Sequence, residues 1–565
     1  MYSNYLIDSI NSARSFAGII ALCFFFICNN NAYAHPNNVN QNEKLYWTTK
    51  IWGFLKYYHP EVNKGKINWD SELINIIQKL PEAHSKEDLS ELYVSWIKSL
   101  GQVPTLKRKE SRVETENFDE NFNLSWLDNA LFTKELSNQL RLIENNRSKK
   151  LHYVKQGYVG QVEITNEINY SSSEWENPSI RLLILFRYWN VIEYFYPYKY
   201  KMDRSWDETL RYMIPRFMNV SSELDFHFLV NELTVSLCDS HAFFRTDLTY
   251  DYTGKKYIPA DFKLIDNKAI ITEILNDSLA SLNDIRIGDA IQSVNHIPVI
   301  DVYRNNEKYI AGSNENVKKL NTSHRWIFNG STDSVHITFE RNGTIKSKTV
   351  ARYNYTSFKS EEPNPIKWEK ISNNIGYVNM EEGVLLAKDI PVMMKELRDT
   401  KAIIFDFRTY PEFIIDKLIR YLNSEPKKFA KAIAPDLSYP GRFRWTEPVL
   451  VGKQNPKAYK GRVIILVDEN TQSRSEYFVM AMQTAERAVT VGRQTSGADG
   501  DVLGYTFFDN NMSLITGRGI YYPDGTETQR IGIHIDYLIP ITIEDIRLGK
   551  DAVYEKAIEI AQQME

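Results

Sequence analysis

Apolar residues recur at helical spacing in some stretches of the chain, and alternate or run together as in strands elsewhere. Helical spacing dominates residues 41–104 and 179–250, each broken by a proline-containing loop. Alternating apolar residues characterise 256–353, whereas buried β-branched runs alternate with amphipathic helices over 366–565. These patterns predict a multidomain α+β protein. It has a helical N-terminal part, a β domain, and a C-terminal α/β domain with a largely parallel sheet.

The two helical stretches resemble each other. WGFLKYYHPEVNKGKINWDSEL (52–73) aligns without a gap with WNVIEYFYPYKYKMDRSWDETL (189–210), at an offset of 137 residues. The copies differ where they end, because SLGQVP closes the first and SLCDSH the second, which places His241 opposite Pro104. We therefore predict a helical pseudo-repeat in which only the second copy can supply a base. Residues 105–178 are polar, with one helix-like run, and are interpreted as a linker or an extended excursion.

The first 34 residues have the pattern of a secretory leader. Arg14 precedes the apolar run Phe16 to Cys28, and Ala32-Tyr33-Ala34 is a small-x-small cleavage site. The apolar run is too short to span a bilayer comfortably. We expect cleavage after Ala34 and a secreted, periplasmic protein with no integral membrane segment.

Composition bears on partners and cofactors. The 68 basic and 72 acidic residues give a net charge of -4, so nothing predicts a nucleic-acid or anionic-membrane partner. After the leader only Cys238 remains, which excludes a disulfide framework. The ADGDV segment with Asp499 and Asp501 lacks the alternating ligands of a calcium loop and is interpreted as a solvated turn. We expect no metal and no cofactor.

Ser473 can be interpreted either as a helix cap or as a catalytic nucleophile. It follows the apolar run VIILV and opens a helical pattern, and with Glu476 three residues on it forms a capping box, which needs no chemistry. The same strand-turn-helix geometry also presents a side chain at a sheet edge where α/β sites form. The unpaired amide of Arg474 would lie beside it. A serine hydroxyl, however, attacks a carbonyl only with a base within reach.

Three strings carry a family resemblance, and they are VIILVDENTQSRSEYFVMAM (463–482), AVTVGRQTSGADGDV (488–502) and GIYYPDGTETQRIGIHID (519–536). Together they resemble the peptidase domain of the carboxyl-terminal processing (tail-specific) serine peptidases and their tricorn-core relatives. The resemblance implies a ClpP/crotonase-like core with Ser473 as nucleophile. It also implies that residues 256–353, with the Gly288-Asp289 turn, form a PDZ-like domain that grips the ends of substrate chains.

The resemblance offers two ways to activate the serine. In the tail-processing branch a lysine follows the G-x-x-T-x-G run, but here the next residue is Ala498. In the tricorn branch a histidine comes from the region before the PDZ-like domain, with a serine ahead of it, and Ser240-His241 match that pattern. The family's orienting carboxylate falls on Gln529, and Glu527 lies two residues away. Either side chain could orient His241.

The resemblance also indicates the oxyanion donors and the function. Relatives carry a glycine-rich D-L-R-x-N-x-G-G segment, whereas DFRTYPEF (406–413) has no glycine. We therefore expect the donors to be the Arg474 amide and an amide near Tyr410 or Glu412. The implied function is a secreted serine endopeptidase acting on peptides or unfolded proteins. A catalytically silent peptide-binding scaffold and an esterase remain alternatives, and no oligomeric state is predicted.

Overall fold

The computed structural model describes residues 39–105, 116–323, 325–358, 365–372 and 374–563, so the predicted leader lies outside the described residues. The helical region, residues 39–253, is described first. Its helices are α1 (Gln41–Tyr58), α2 (Trp69–Lys79), α3 (Lys86–Ser99), α4 (Lys134–Asn145), α5 (Pro178–Phe195), α6 (Trp206–Met218), α7 (Glu223–Val235) and α8 (Asp247–Thr253). Its short strands are β1 (Asn117–Phe118), β2 (Val154–Gln156) and β3 (Val162–Ile164).

The helices of the two sequence copies correspond in position and in contacts. Helices α1, α2 and α3 begin 137 residues before α5, α6 and α7 respectively. In the first copy the indole Nε1 of Trp52 donates to the carbonyl of Trp69 at 2.9 Å, and Trp69 donates back to Trp52 at 3.2 Å. Trp189 and Trp206 repeat this exchange in the second copy, at 2.9 Å in both directions. The same residues therefore build the same helix pair twice.

Exchanged ion pairs join the two copies. Lys50 on α1 pairs with Asp207 on α6 at 2.8 Å, and Arg187, the counterpart of Lys50, pairs with Asp70 on α2. Each copy thus supplies the cation for the carboxylate of the other, as expected of two units related by an approximate two-fold axis. The copies pack as a pair around one shared core rather than as separate units.

The interpretation of 105–178 as a linker or excursion is wrong for its described part, residues 116–178. The helix-like run forms α4, and its apolar side chains Leu136, Leu140 and Ile143 are fully buried in the core of the helical region. The segment has few apolar residues for its length, which is why it was interpreted as a linker or an extended excursion. Those few residues lie on one face of the helix, and burying that face is enough to dock it.

The middle region, residues 254–358, is built on an antiparallel sheet in the order β10-β9-β7-β6-β5. Gly288, at φ 82°, and Asp289 form a turn there, and Arg341 donates to both oxygens of the buried Asp289 carboxylate. The PDZ resemblance of this region stays a prediction. Its strands are β4 (Lys256–Tyr257), β5 (Ala260–Ile265), β6 (Lys268–Ile274), β7 (Ala290–Val294), β8 (Ile297–Pro298), β9 (Ser334–Arg341), β10 (Thr344–Ala351) and β11 (Tyr353–Asn354). Its helices are α9 (Asp277–Leu282), α10 (Val299–Asn306) and α11 (Glu315–Ser323).

The core region, residues 365–563, holds a six-stranded sheet in the order β12-β13-β14-β18-β19-β23, parallel from β13 onward. Its strands are β12 (Trp368–Ser372), β13 (Ile375–Asn379), β14 (Ala402–Asp406), β15 (Lys427–Pro435), β16 (Phe443–Trp445), β17 (Val449–Val451), β18 (Arg462–Val467), β19 (Ala488–Gly492), β20 (Val502–Phe508), β21 (Asn511–Thr516), β22 (Gly519–Tyr521) and β23 (Tyr537–Leu538). Its helices are α12 (Ile390–Leu397), α13 (Ile415–Leu422), α14 (Arg474–Met482), α15 (Ile543–Leu548) and α16 (Ala552–Gln562).

Two features of this architecture position the candidate site. Strands β14 and β18 are parallel neighbours that end at the same sheet edge, so the loops after Asp406 and after Val467 leave from one side. The β20–β21 hairpin carries apolar side chains, among them Tyr505 and Phe507, into the core of the helical region. That hairpin fixes the helical region against the core region. Across the described residues, none of the helices is both long and apolar enough to cross a membrane.

Candidate active site

Ser473 occupies the last position before helix α14, and its backbone is unusual. Its dihedral angles are φ 57° and ψ −118°, a region that side-chain-bearing residues rarely adopt. The serines that cap other helices of this chain, Ser85, Ser205 and Ser222, have φ of −124°, −57° and −152°. Helix capping is normally achieved with extended backbone, so capping alone does not account for this conformation. Strained backbone of this kind is concentrated at functional sites.

The same strain recurs in the two segments that accompany Ser473. Among described non-glycine residues with positive φ, all are Asn or Asp except Cys238, His296, Ser473 and Arg530, at 53°, 68°, 57° and 67°. Cys238 immediately precedes the segment that carries His241, and Arg530 follows Gln529. Such conformations cost of order 1–3 kcal/mol each and persist only where their surroundings impose them. Three of these four residues, Cys238, Ser473 and Arg530, therefore lie in or next to the segments that carry the candidate site residues.

Glu476 ties the serine to the loop that contains Ala498. Its fully buried carboxylate accepts hydrogen bonds from the Ser473 amide at 3.3 Å, the Gly497 amide at 2.7 Å, the Ala498 amide at 2.9 Å and the Thr495 hydroxyl at 2.5 Å. Burial raises the pKa of Glu476, and these hydrogen bonds oppose that shift. The Ser473 amide also donates to the carbonyl of Ala498 at 2.9 Å. Loop and helix N-terminus are therefore one rigid unit.

His241 lies in a buried segment at the end of the second repeat copy. Its Nδ1 is 3.0 Å from the Thr516 hydroxyl and 3.4 Å from Oδ1 of Asp239. The other carboxyl oxygen of Asp239 accepts the Thr516 amide at 2.9 Å. Burial raises the pKa of Asp239, but the hydrogen bonds and charge of His241 and the Thr516 amide outweigh it and hold that pKa below its ordinary value. An ionised carboxylate thus lies beside Nδ1.

The opposite nitrogen of the imidazole is free to act. Nε2 of His241 is buried and has no hydrogen-bond partner among the residues that the structure describes. With Nδ1 facing a carboxylate and a hydroxyl, a neutral imidazole protonated at Nδ1 leaves the Nε2 lone pair available. An available lone pair is one requirement of a general base, and reach of the nucleophile's hydroxyl is the other.

Hydrogen bonds made by serine side chains connect the segment that carries His241 to the loop next to Ser473. The hydroxyl of Ser240 is 3.0 Å from that of Ser313 and 3.4 Å from the carbonyl of Ser496. The Ser496 hydroxyl donates to Oε1 of Gln472, the residue before Ser473, at 3.1 Å. Ser240 thus contacts the same loop that Glu476 holds against Ser473. Ser240 and Ser473 therefore both contact the 495–498 loop, whereas Nε2 of His241 makes no hydrogen bond with the Ser473 hydroxyl in this structure.

The two side chains considered as orienting groups for His241 lie in different surroundings. Glu527 accepts the Tyr200 hydroxyl at 2.7 Å and pairs with Lys201, and these contacts occupy both carboxyl oxygens. Gln529 is 1% exposed, and neither of its amide atoms has a partner among the described residues. Its neighbour Arg530 donates its amide to the Gly497 carbonyl at 2.8 Å. Gln529 is therefore held beside the site, whereas Glu527 is held by the helical region.

The loop that carries the candidate oxyanion donors near Tyr410 and Glu412 packs against the start of α14. The hydroxyl of Ser475 binds the carbonyls of both Phe407 and Thr409 at 3.0 Å, which fixes the loop after β14 against the start of α14. The Arg474 guanidinium donates to the carbonyl of Pro411 at 2.9 Å and covers the ring of Tyr410. The Arg474 amide donates to no residue in the described chain. This amide is free for an oxyanion, as the orphan donors of a helix N-terminus generally are.

The interpretation of Asp499 as part of a solvated turn is wrong. Asp499 is 5% exposed. Burial, and then the charge of Glu476, raise the pKa of Asp499 well above its ordinary value, against a weaker opposing effect of Thr528. Because Glu476 accepts four hydrogen bonds, it is the member of this pair that better carries the charge, and the pKa of Asp499 is the one raised further. Within the described residues, no group of histidine, cysteine and acidic side chains could hold a metal ion.

Asp239 and Thr516 are the site residues that sequence reasoning missed. Asp239 could have been found, because it lies only two residues before His241. Its carboxylate accepts a hydrogen bond from the His241 amide at 3.0 Å. Thr516 lies 275 residues from His241 and ends a hairpin strand. No local sequence pattern marks it.

Comparisons with known proteins agree with this architecture. Residues 374–539 match the model of peptidase family S41. Mature CPAF complexed with lactacystin has a similar structure, with a TM-score of 0.54 at 13% identity over 68% of this chain and 98% of that one. Mature CPAF alone gives 0.52 at 14% identity, over 68% and 96%. Photosystem II D1 C-terminal processing protease gives only 0.39 at 16% identity, over 66% and 98%, and carries no argument.

No curated protein sequence matches the chain. At these identities the structural likeness to CPAF shows a shared fold and nothing finer. The family match is a separate finding, and it covers both β18 and the start of α14, where Ser473 lies. The domain formed by residues 374–539 therefore matches peptidase family S41.

Proposed function

We propose that the protein is a serine endopeptidase in which Ser473 is the nucleophile and His241 the base. The observation that carries the proposal is the buried, unpartnered Nε2 of His241, on a segment bonded to the loop that holds Ser473. A buried polar atom without a partner costs free energy of about 1–3 kcal/mol. His227 also has a buried Nε2 without a hydrogen bond, so what distinguishes His241 is the Asp239 carboxylate beside its Nδ1 and the contact of its segment with the 495–498 loop.

The proposed reaction begins with attack of Ser473 Oγ on the scissile carbonyl carbon. His241 Nε2 accepts the hydroxyl proton, and the resulting imidazolium is stabilised by the Asp239 carboxylate 3.4 Å from Nδ1. The Arg474 amide and an amide of the 409–413 loop donate to the oxyanion. His241 then passes the proton to the leaving amine, and water hydrolyses the acyl-enzyme by the same proton transfers in reverse. Ser240 holds the His241 segment against the 495–498 loop.

The remaining parts of the proposal come from sequence. The leader pattern in residues 1–34 supports a secreted, periplasmic protein. The family supports a peptide substrate, and we propose peptides or unfolded proteins. The edge strand β5 of the middle region supports binding of an extended chain by strand addition.

A second candidate is a peptide-binding scaffold that has lost catalysis. The position of the expected orienting carboxylate is Gln529, and the position of the lysine base is Ala498, so both ionisable groups of the relatives are replaced. Asp239 favours the enzyme over this alternative, because it provides the negative charge that neither replacement can provide.

Labelling with a fluorophosphonate separates the two candidates. We expect labelling of the native protein at Ser473, and none in Ser473→Ala or His241→Ala. His227→Ala is the matched control, because His227 is also buried in the helical region and its Nε2 makes no hydrogen bond, yet it lies on α7 with Nδ1 on Thr246 and Nε2 3.9 Å from Glu223. Labelling that survives in His241→Ala would contradict the proposed base. Absence of labelling in the native protein would favour the scaffold, and peptide against ester substrates would separate a peptidase from an esterase.

A further inference from the structure

A cleft lies between the helical region and the middle region, beside the His241 segment. It is narrow and partly open to solvent. Three aromatic rings form one wall, with Phe228 and Tyr309 at 4.8 Å, Tyr309 and Trp326 at 5.9 Å, and Phe228 and Trp326 at 6.3 Å between ring centroids. The cleft is adjacent to the candidate active site along two segments. Phe243 follows His241 by two residues, and Ala311 precedes Ser313 by two.

Two arginines face this cleft without acidic partners. Arg325 is half-buried, stacks over Tyr250 at 3.5 Å, and has a buried Nη2 with no hydrogen-bond partner among the described residues. Arg245 stands at the exposed rim, and its guanidinium makes no hydrogen bond or ion pair with any residue for which the structure gives a position. Other half-buried arginines of the chain, such as Arg216 and Arg341, pair with carboxylates.

Electrostatics show that this pair lacks a counter-charge. Burial, and then the positive charge of Arg245, lower the pKa of the Arg325 guanidinium to about 9. A carboxylate nearby would act in the opposite direction. Two neighbouring guanidinium groups in a partly desolvated site repel each other, and an anion between them would relieve that repulsion. Guanidinium groups bind carboxylates through paired N–H donors.

We propose that Arg245 and Arg325 form a binding site for a carboxylate of the peptide substrate. The carboxylate is either the chain end of the peptide or the side chain of an acidic residue, with the aromatic wall against the neighbouring part of the peptide. The inference rests on the proposed function for its substrate class, but binding does not require catalysis. The site therefore gives the enzyme a preference for peptides that place a negative charge in this cleft.

Fluorescence anisotropy with short fluorescein-labelled peptides tests the proposal in the Ser473→Ala background, where no peptide is cleaved. One apolar peptide is prepared with a free carboxyl terminus, with an amidated terminus, and amidated with one internal glutamate. We expect a carboxylate-bearing peptide to bind about tenfold more tightly than the amidated apolar one, the size of one charge-assisted interaction. Arg245→Gln and Arg325→Gln should each remove that preference and leave binding of the amidated apolar peptide unchanged.

Controls separate loss of the site from loss of the fold. Arg398→Gln changes an exposed arginine on the core region and should preserve the preference. Arg325→Lys keeps the charge and should preserve part of it. Tight binding of the free-carboxyl peptide alone assigns a chain end, and tight binding of the glutamate peptide assigns a side chain. Equal binding of all three peptides, or binding of none, overturns the proposal. Failure of fluorophosphonate labelling would overturn the proposed catalysis without altering this readout.

Discussion

Replacing Asp239 by asparagine keeps the shape of the side chain and removes its charge. The carboxylate accepts the amides of His241 at 3.0 Å and Thr516 at 2.9 Å, and its Oδ1 is 3.4 Å from Nδ1 of His241. Asparagine can still accept one of those amides through its oxygen. The other amide then faces the asparagine nitrogen, so the variant loses one backbone hydrogen bond as well as the negative charge that faces the imidazole, and thermal unfolding reports the first of these losses.

The size of the effect follows from the distance. At 3.4 Å and an effective dielectric constant of about 20, a carboxylate stabilises an imidazolium by about 5 kcal/mol, which is an upper limit. If about half of this is lost in the transition state, the barrier rises by about 2.5 kcal/mol, which is on the order of 100-fold in rate. We therefore expect Asp239→Asn to label with fluorophosphonate about 100-fold more slowly than the native protein.

The assay is the second-order rate constant for labelling of Ser473, measured from pH 5 to pH 9, with thermal unfolding of each variant recorded alongside. Glu527→Gln is the matched control, because Glu527 binds Tyr200 and Lys201 rather than the imidazole. Its labelling rate should stay within about twofold of the native rate, since a distant charge contributes little. A large loss in Glu527→Gln together with a native rate in Asp239→Asn would refute the assignment of Asp239.

The other expectations concern stability. Ser473→Gly should be more stable than Ser473→Ala by about 1 kcal/mol in chemical unfolding, because both lose the hydroxyl but only glycine relieves the positive φ; equal stability would show that the backbone is unstrained. Asp499→Asn should match the native protein near pH 4, and then gain relative stability as pH rises, by up to about 1.4 kcal/mol per pH unit. The sign follows from the raised pKa of Asp499, because ionisation above pH 4 favours the native protein's unfolded state until the folded pKa is passed. A difference independent of pH would mean that Asp499 is already ionised in the folded protein. Glu476→Gln should lower the unfolding free energy by about 2 kcal/mol, because an amide nitrogen faces donors that a carboxylate oxygen accepted. Glu486→Gln, at an exposed position, is its control, and equal effects of the two changes would contradict this role for Glu476.

Local sequence patterns predicted many of the helices and strands, because a helix or strand depends mainly on the side chains within it. The offset between the repeat copies gave the relation between α1 to α3 and α5 to α7, since equivalent helices bury equivalent faces. The apolar run before Ser473 and the helical spacing after it gave β18 and α14. The same reasoning failed for α4, whose few apolar residues are enough to dock it, and for Asp499, whose acidic neighbours concealed its burial. In both cases polarity was read as exposure.

The residues of the candidate site were also only partly predictable from the sequence. Ser473 and His241 could be selected from the sequence only together with the family resemblance, because neither residue type is diagnostic by itself. Asp239 lies only two residues before His241, but the sequence placed the expected orienting group near residue 529 instead. The reciprocal observation, that Glu527 is occupied by Tyr200 and Lys201, required coordinates, because those partners lie more than 300 residues away.

The sequence by itself indicated most helices and strands, the similarity of the two copies and the family resemblance of the last domain, because each depends on the order of side chains over short stretches. Tertiary structure alone decided that Thr516 meets His241, that the 495–498 loop contacts both Ser240 and Ser473, and that Arg245 and Arg325 share one cleft. These contacts join distant segments, and they exist because the β20–β21 hairpin buries its apolar side chains in the helical region. Hydrophobic burial has no direction of its own, so the pairing of polar groups it brings together can be seen only once the packing is known.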